Sequence, residues 1–363
     1  MISRWPGVLS RGVVTNIQPD LATRDFSAKG YQRGDAMSRR RSPTIKDVAK
    51  AAGVSSATVS YVLNGLNKVT PEVDALVRRA ATEIGYSRNN AARALKTGHH
   101  HLIGCILPTL TSPVFPEIAQ AVQRRAAHHG YATVVVDSGN EPMRELEVIE
   151  TLGRHGIDGV VALLHPSFPL ATPPQLPMVS LDAPFPGLDG VMADHITGGR
   201  LMAEHVVGLG HRRVGLLSGF QEHTSNRERR DGFVQGAGER LDLVWEIQVD
   251  LVPQLPDAAV AAIARREVSV IVCVNDLVAI AALSALKSLG LSVPDDVSVI
   301  GFDDMQWSSW PLISLTTVRQ PLNVLGERAV DLLVERISGT SMPITVERLP
   351  VELVVRTSTR AVD

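Results

Sequence analysis

A chain of 363 residues, 44% hydrophobic and 20% charged, is long enough for two or three compact units and reads as a soluble globular protein. Its formal charge of −2 hides a division: residues 38–98 carry 11 Lys/Arg against 4 Asp/Glu, whereas residues 99–363 carry 20 against 31. A basic module on an acidic body suits a phosphate-binding head whose body is kept off the polyanion. No run of about eighteen apolar residues exists, so no membrane span is expected. The N-terminus lacks the sustained apolar core of a secretory signal. Cys105 and Cys273 sit in apolar runs without partner spacing and read as buried thiols in a reducing compartment.

Residues 1–42 read as a disordered extension. Positions 1–36 carry Pro, Gly and scattered charge without periodicity. They are either dispensable or the product of a start assigned upstream of Met37. Arg39, Arg40 and Arg41 form a basic arm, open to phosphate contact or to plain solvation. In residues 44–64, TIKDVAKAAGVSSATVSYVLN, two short helical patterns flank a glycine. Thr44 and Asp47 have capping-box spacing, and Ile45, Val48, Ala49 and Ala52 share one face. Gly53 tolerates the positive φ of a tight turn, and Ser55 can cap the second helix, with Val59, Val62 and Leu63 inward. That leaves Ser56, Ala57, Ser60, Tyr61 and Asn64 outward, a layout that predicts a helix-turn-helix with its second helix in the major groove. Thr70-Pro71 starts a third helix, whose stripe of Val73, Leu76, Val77, Ala80 and Ile84 closes the head before Gly85.

The string Asp47-Val48-Ala49, Ala52-Gly53-Val54-Ser55, Thr58-Val59-Ser60 and Val62-Leu63-Asn64 resembles the headpiece of the lactose/galactose-repressor (LacI–GalR) family. The resemblance implies an N-terminal three-helix helix-turn-helix headpiece over residues 43–87, then a hinge helix and linker over 88–101. Base readout falls to Ser56, Ala57 and Tyr61, and Thr44, Ser55, Thr58, Ser60 and Asn64 are caps and phosphate contacts. Residues 86–96 resemble the family hinge, with Arg88 where a proline is usual. The eight residues 89–96 are too few to hold a helix alone in water, and by resemblance this segment folds when two copies pair in the minor groove. Asn90, Ala91, Leu95 and Lys96 are its DNA contacts, with Leu95 the wedge between base pairs. His99–His101 read as a polar linker rather than a metal site, and no metal or cofactor is expected.

From Leu102 onward apolar runs alternate with amphipathic helices, the pattern of parallel sheets buried on both faces. The runs are Leu102–Leu107, Ala132–Val136, Gly159–Leu164, Met178–Leu181, Val214–Ser218, Val268–Val274 and Val297–Phe302. Roughly 260 residues are large for one sheet, so two lobes are expected. The stretches 210–215, 293–304 and 315–321 resemble the family's regulatory domain, which implies an α/β two-lobed periplasmic-binding-protein-like domain over 102–358 for effector binding and dimerisation. One lobe is expected near 102–194 plus 319–340, the other near 195–318 plus 341–358.

Ligands of open α/β sheets bind beyond the carboxyl ends of the strands. Asp182, Asn275-Asp276 and Asp303 follow such strands and can take paired hydroxyls, or alternatively cap the next helix. By resemblance Arg229 is the ligand-binding arginine, with Arg230 the alternative register, and Phe115 is an aromatic that stacks on the ligand. Aromatic residues make up only 4% of the chain, which favours a polyhydroxylated ligand, a sugar or sugar derivative, over a purine. The function implied is a ligand-responsive, sequence-specific transcriptional regulator, a repressor of carbohydrate utilisation. Its expected form is a homodimer on pseudo-palindromic double-stranded operator DNA, cytoplasmic and nucleoid-associated. A transporter's solute-binding protein is the alternative, but it needs a signal peptide and no headpiece. An enzyme is not expected: no G-x-S-x-G, P-loop, H-E-x-x-H or C-x-x-C occurs, and His165, His195, His205 and His223 stand isolated.

Overall fold

In the computed structural model, residues 43–63, 66, 68–86, 98–169, 176–340 and 343–362 are described. The expected extension over 1–42 and the expected contacts Asn64, Asn90, Ala91, Leu95 and Lys96 lie outside them. The chain divides into two units, residues 1–88 and 89–363.

Among its described residues the first unit has three helices: α1 (Ile45–Ala52), α2 (Ser56–Leu63) and α3 (Pro71–Glu83). The Asp47 carboxylate closes the start of α1, accepting from the Thr44 backbone N–H and hydroxyl, both at 2.7 Å. Gly53 ends α1 at φ 65°, a left-handed turn that lets Val54 N–H reach back to Ala49 O at 3.0 Å. Ser55 Oγ then accepts from Thr58 N–H at 3.0 Å and starts α2. Val48, Val59, Val62 and Val77 are buried at the centre, with Ala49, Ala52, Ala80 and Ala81 filling the gaps. Ile45 and Leu76 depart from the expected stripes, 38% and 44% exposed. Helices this short bury one narrow row each, and the small Ala81 takes the inward place beside Ala80.

The second unit holds two six-stranded sheets. The first lobe comprises β1 (Leu102–Leu107), α4 (Val114–His128), β2 (Ala132–Asp137), α5 (Pro142–Arg154), β3 (Gly159–Ala162), β4 (Met178–Leu181) and β5 (Asp189–Ala193). The second comprises α6 (His195–Gly208), β6 (Arg213–Ser218), α7 (Thr224–Ala237), β7 (Asp242–Gln248), α8 (Asp257–Ala264), β8 (Val270–Cys273), α9 (Asp276–Ser288), β9 (Ser298–Asp303) and β10 (Thr316–Arg319). The chain then returns to the first lobe with α10 (Leu322–Ile337) and β11 (Val346–Leu349), and ends in the second with β12 (Glu352–Val354). Strand order is β11-β5-β4-β3-β1-β2 in one sheet and β12-β10-β9-β8-β6-β7 in the other. Every pairing is parallel except β10 with β12.

Alternate residues of each strand go to opposite faces, so each sheet has a core on both sides. In the first lobe Ile103 and Cys105 face α4 and α10, while Ile106 and Val160 pack with α5. In the second, Val270, Val272 and Phe302 face α6 and α7, while Ile271 and Cys273 face α8 and α9. Cys105 and Cys273 are buried free thiols in separate lobes, and burial pushes Cys105 up to about 12. One boundary needs correction. Residues 343–349 belong to the first lobe, because β11 adds in parallel to the open edge of β5, Val346 opposite Gly190 and Leu349 opposite Ala193. The last crossing therefore falls after Leu349, not before residue 341.

Candidate functional site

On the headpiece, α2 turns Val59 and Val62 into the core and leaves Ser55, Ser56, Ala57 and Tyr61 exposed, with Thr58 and Ser60 half-buried beside them. The expected readout positions Ser56, Ala57 and Tyr61 thus share one open face. Lys68 Nζ lies 5.4 Å from the Tyr61 ring centroid, a cation over a π face. Ser55 Oγ and Thr44 Oγ1 are engaged in capping, at 2.8 Å from Thr58 Oγ1 and 2.7 Å from Asp47 respectively. Thr44 itself is half-buried before α1.

In the second unit a cavity of about 390 Å³ opens beyond the carboxyl ends of both sheets. From the first lobe Phe115, Asn140 and Asp182 reach it; from the second Phe220, His223, Asn226, Arg229, Asn275 and Asp303 do, with Gln320 at a crossing. Of the expected ligand residues, Phe115, Asp182, Arg229, Asn275 and Asp303 line this one space.

Arg229 is the hub. α7 carries it close to α6 because Gly232 has no side chain where it meets the Ile196 carbonyl, and Gly199 none where it meets the Arg229 and Phe233 backbone. The guanidinium lies 4.0 Å above the Phe302 ring centroid. Its Nη1 donates to Val274 O at 2.9 Å and pairs with Asp303 Oδ1 at 3.2 Å. Its Nε donates to His195 Nδ1 at 3.2 Å, and His195 Nε2 meets Asp182 Oδ1 at 2.5 Å. A guanidinium N–H can only donate, so Nδ1 offers its lone pair and the proton sits on Nε2, facing Asp182. The result is one directed relay from Arg229 through His195 to Asp182. Gln320 Nε2 donates to Asp303 Oδ1 at 2.7 Å. Asp182 and Asp303 both hold positive φ, 58° and 123°, conformations costly for a residue with a side chain.

Burial alone would raise the Asp182 carboxyl; the His195 ring, Arg229 and Ser225 outweigh it and hold it below the usual carboxylate range. Asp303 goes the other way: burial pushes it up to about 6 against the pull of Arg229 and Gln320. Asp276 is the correction among the expected ligands. Its carboxylate turns into the lobe and accepts from Met305 N–H at 2.9 Å, Ser308 Oγ at 2.6 Å and Thr317 Oγ1 at 2.5 Å. It ties α9 to the turn after β9 and to β10 and does not line the cavity. Burial, then the Asp303 charge, pushes it up to about 7. Asn275 both lines the cavity and caps α9, its Oδ1 accepting from Val278 N–H at 2.9 Å. Arg230, the alternative register, points elsewhere and pairs with Glu246 at 2.7 and 2.8 Å.

Sequence reasoning sets His195 and His223 aside as isolated histidines and does not single out Phe220 or Gln320, yet the structure brings all four to the site. Phe220 follows the recognised run Val214–Ser218, so its signal was present. His195 follows β5, whose short Asp-Gly-Val-Met-Ala segment does not stand out as a strand. His223 meets His165 of the first lobe edge to face, ring centroids 5.6 Å apart.

A helical head with an open recognition face, joined in one chain to a two-lobed body holding a polar, charged cavity, defines a ligand-responsive DNA-binding regulator. Residues 44–89 match the bacterial regulatory proteins of the lacI family, and residues 203–359 match the periplasmic binding protein-like domain. The chain is 33% identical over 331 residues to the HTH-type transcriptional repressor PurR of Actinobacillus pleuropneumoniae serotype 3 (strain JL03), covering 87% of this chain and 98% of that one. It is similar to the Lac repressor dimer bound to operator and the anti-inducer ONPF, with TM-score 0.77, 28% identity, and coverage of 88% of this chain and 100% of that one. The transcriptional regulator CelR in complex with cellobiose superposes with TM-score 0.64 at 29% identity, over 87% of this chain and 99% of that one. The chain belongs to the lacI family of bacterial regulatory proteins. It is a transcriptional regulator that binds DNA and a small-molecule effector.

Proposed function

We propose that this regulator represses a carbohydrate-utilisation operon, working in the cytoplasm and on the nucleoid as a homodimer on a pseudo-palindromic operator, and that the cavity around Arg229 takes a sugar or sugar derivative. One observation carries the reading of the ligand. Three residues that line the cavity keep a polar atom without a partner among the described residues: Arg229 its Nη2, Asp303 its Oδ2 and Asn275 its Nδ2. Such a mixture of donors and acceptors suits vicinal hydroxyls, and Phe115 and Phe220 offer apolar faces for sugar C–H groups. The cellobiose named with CelR is a sugar of this chemistry. Ser56, Ala57 and Tyr61 read bases, the alanine methyl suiting a thymine C5-methyl. Thr44, Ser55, Thr58, Ser60 and Asn64 position the head, and Asn90, Ala91, Leu95 and Lys96 act in the minor groove. Closing the lobes on the effector shifts the paired hinges and so the spacing of the heads, a coupling between distinct sites.

A thermal-shift screen of sugars, nucleosides and phosphorylated metabolites against the purified protein tests the ligand reading, with any hit carried into operator binding. Sugars that raise Tm and alter operator affinity are expected; nucleosides as the only hits would overturn the sugar assignment.

A further inference from the structure

We infer that the effector carries no net negative charge: it is an unphosphorylated, neutral or cationic polyol, not a phosphate ester. The inference rests on reading the cavity as the effector site. It follows from the charges that line that space. Among the described lining residues Asp182, Asp250 and Asp303 are acidic, and Arg229 is the one guanidinium or ammonium.

Arg229 is already shared before any ligand arrives. Its Nη1 stands 3.2 Å from Asp303, and its Nε is committed to His195, which relays to Asp182. An incoming phosphate brings about −1.5 to −2 charges to the side of the buried Asp303, whose single countercharge it would have to share, while Asp182 keeps its bond to His195. Behind Asp303 lies Asp276, whose partners are two hydroxyls and one backbone N–H, all neutral. Burial keeps Asp276 partly protonated near neutral pH, so the wall nearest Asp303 adds a partial negative charge without a second cation. His223 supplies little positive charge, because burial, followed by His165, holds it below the ordinary histidine range.

Two features favour an anion and are outweighed. The N-termini of α4, α7, α9 and α10 open beside the cavity at Val114, Ser225, Asn275 and Leu322, each worth about half a positive charge at most, with Asp276 in the first turn of α9 offsetting part of one. Glu117 in the first turn of α4 offsets part of another. Arg144 lies beside Gly139 at the rim but is exposed, so water screens it. Against these stand the carboxylates of Asp303, which is buried, Asp182, which is half-buried, and Asp250, exposed at the rim. A neutral polyol instead donates hydroxyl protons to Asp303 Oδ2 and accepts from Arg229 Nη2, and the ion pair stays intact. A ligand ammonium would relieve the excess acid charge outright.

Calorimetric titration of the full chain with matched pairs tests this: D-ribose against D-ribose 5-phosphate, D-glucose against D-glucose 6-phosphate and D-glucosamine, adenosine against adenosine 5′-monophosphate. Within any pair that binds, the ester is expected to bind at least roughly tenfold more weakly than its parent. An ester that binds as tightly as its parent overturns the inference. Binding confined to the adenosine pair, with the ester weaker, removes the sugar reading and leaves the charge inference standing. Titrated at low ionic strength, where the screening of an exposed charge is weakest, Asp250→Lys at the rim should narrow the parent-to-ester ratio. A ratio that does not move shows that cavity charge is not the source of discrimination.

Discussion

At the scale of the residue, the cavity is a balance of charges held by one guanidinium. Arg229 is buried, stacked on Phe302 and tied to Asp303 and, through His195, to Asp182. Removing one partner of such a buried pair leaves the other uncompensated, at a cost of about 3–5 kcal/mol. We therefore expect Arg229→Leu to lower unfolding free energy by that order, and Arg229→Leu combined with Asp303→Asn to recover part of it. Strictly additive losses in chemical denaturation would show that the two side chains are not coupled. The acids also set a pH dependence. Asp276 and Asp303 are raised to about 7 and about 6, with burial the first cause of each. A carboxyl raised in the folded state keeps its proton there after the unfolded chain has lost it, near pH 4. The folded state thus binds more protons between about pH 4 and about pH 7, and stability falls as pH rises through that window. Asp276→Asn removes one of these ionisations, and the drop in Tm from about pH 5 to about pH 8 should shrink relative to the parent chain. An equal drop in both proteins would mean that Asp276 titrates as an ordinary carboxyl.

At the scale of the element, the positions of functional side chains follow from how closely backbones meet. A Cβ on Gly232 would run into the Ile196 carbonyl oxygen, a backbone atom that cannot rotate away. Gly232→Ala should therefore push α7 off α6, costing about 1–3 kcal/mol and displacing Arg229 one turn upstream, with loss of effector binding. A variant with parental Tm and parental effector affinity would contradict that packing. On α2 the exposed Tyr61 is the largest group on the recognition face. Its loss in Tyr61→Ala should cut the ratio of cognate to scrambled operator affinity by about 1–3 kcal/mol equivalent, and an unchanged ratio in mobility shifts would dismiss it as a reader. Legibility in the sequence tracked the same physics. Central strands such as Leu102–Leu107 and Met178–Leu181 read clearly because burial on both faces makes them continuously apolar. The edge strands β7, β11 and β12 did not, since Asp242, Glu246, Glu347 and Glu352 face solvent or ion pairs there and break the pattern. β5 is buried throughout, yet is five residues long and opens Asp189-Gly190, which reads as a turn. Missing β5 left His195 reading as an isolated histidine, since a residue just past an unseen strand end carries no flag.

At the scale of the whole second unit, the chain crosses between lobes around Asp194, Gln320 and Pro350, and a few polar contacts span the gap. Arg348 on β11 grips Glu228 on α7 through two bonds of 2.7 Å. His165 and His223 meet nearby, and the cavity draws residues from both lobes. A ligand that touches Asp182 and Phe115 on one side and Arg229 and Asn275 on the other has differential affinity for the closed arrangement, which is the requirement for shifting a two-state equilibrium. Asp276 shows why sequence placement alone misjudged one ligand: a residue past a strand end reaches the cleft or the lobe interior according to its χ1 and neighbours. Here Ser308 and Thr317 draw it inward. The most direct measurement is operator affinity, by fluorescence anisotropy, for the parent chain, Asp303→Asn and Arg229→Lys, with and without the tightest small molecule from the screen. Lysine keeps the buried charge but lacks the fork that holds two ligand oxygens. The expected result is DNA binding by all three proteins with a response to the small molecule only in the parent. A response of both variants at the parental concentration would contradict the assignment of the cavity as the effector site.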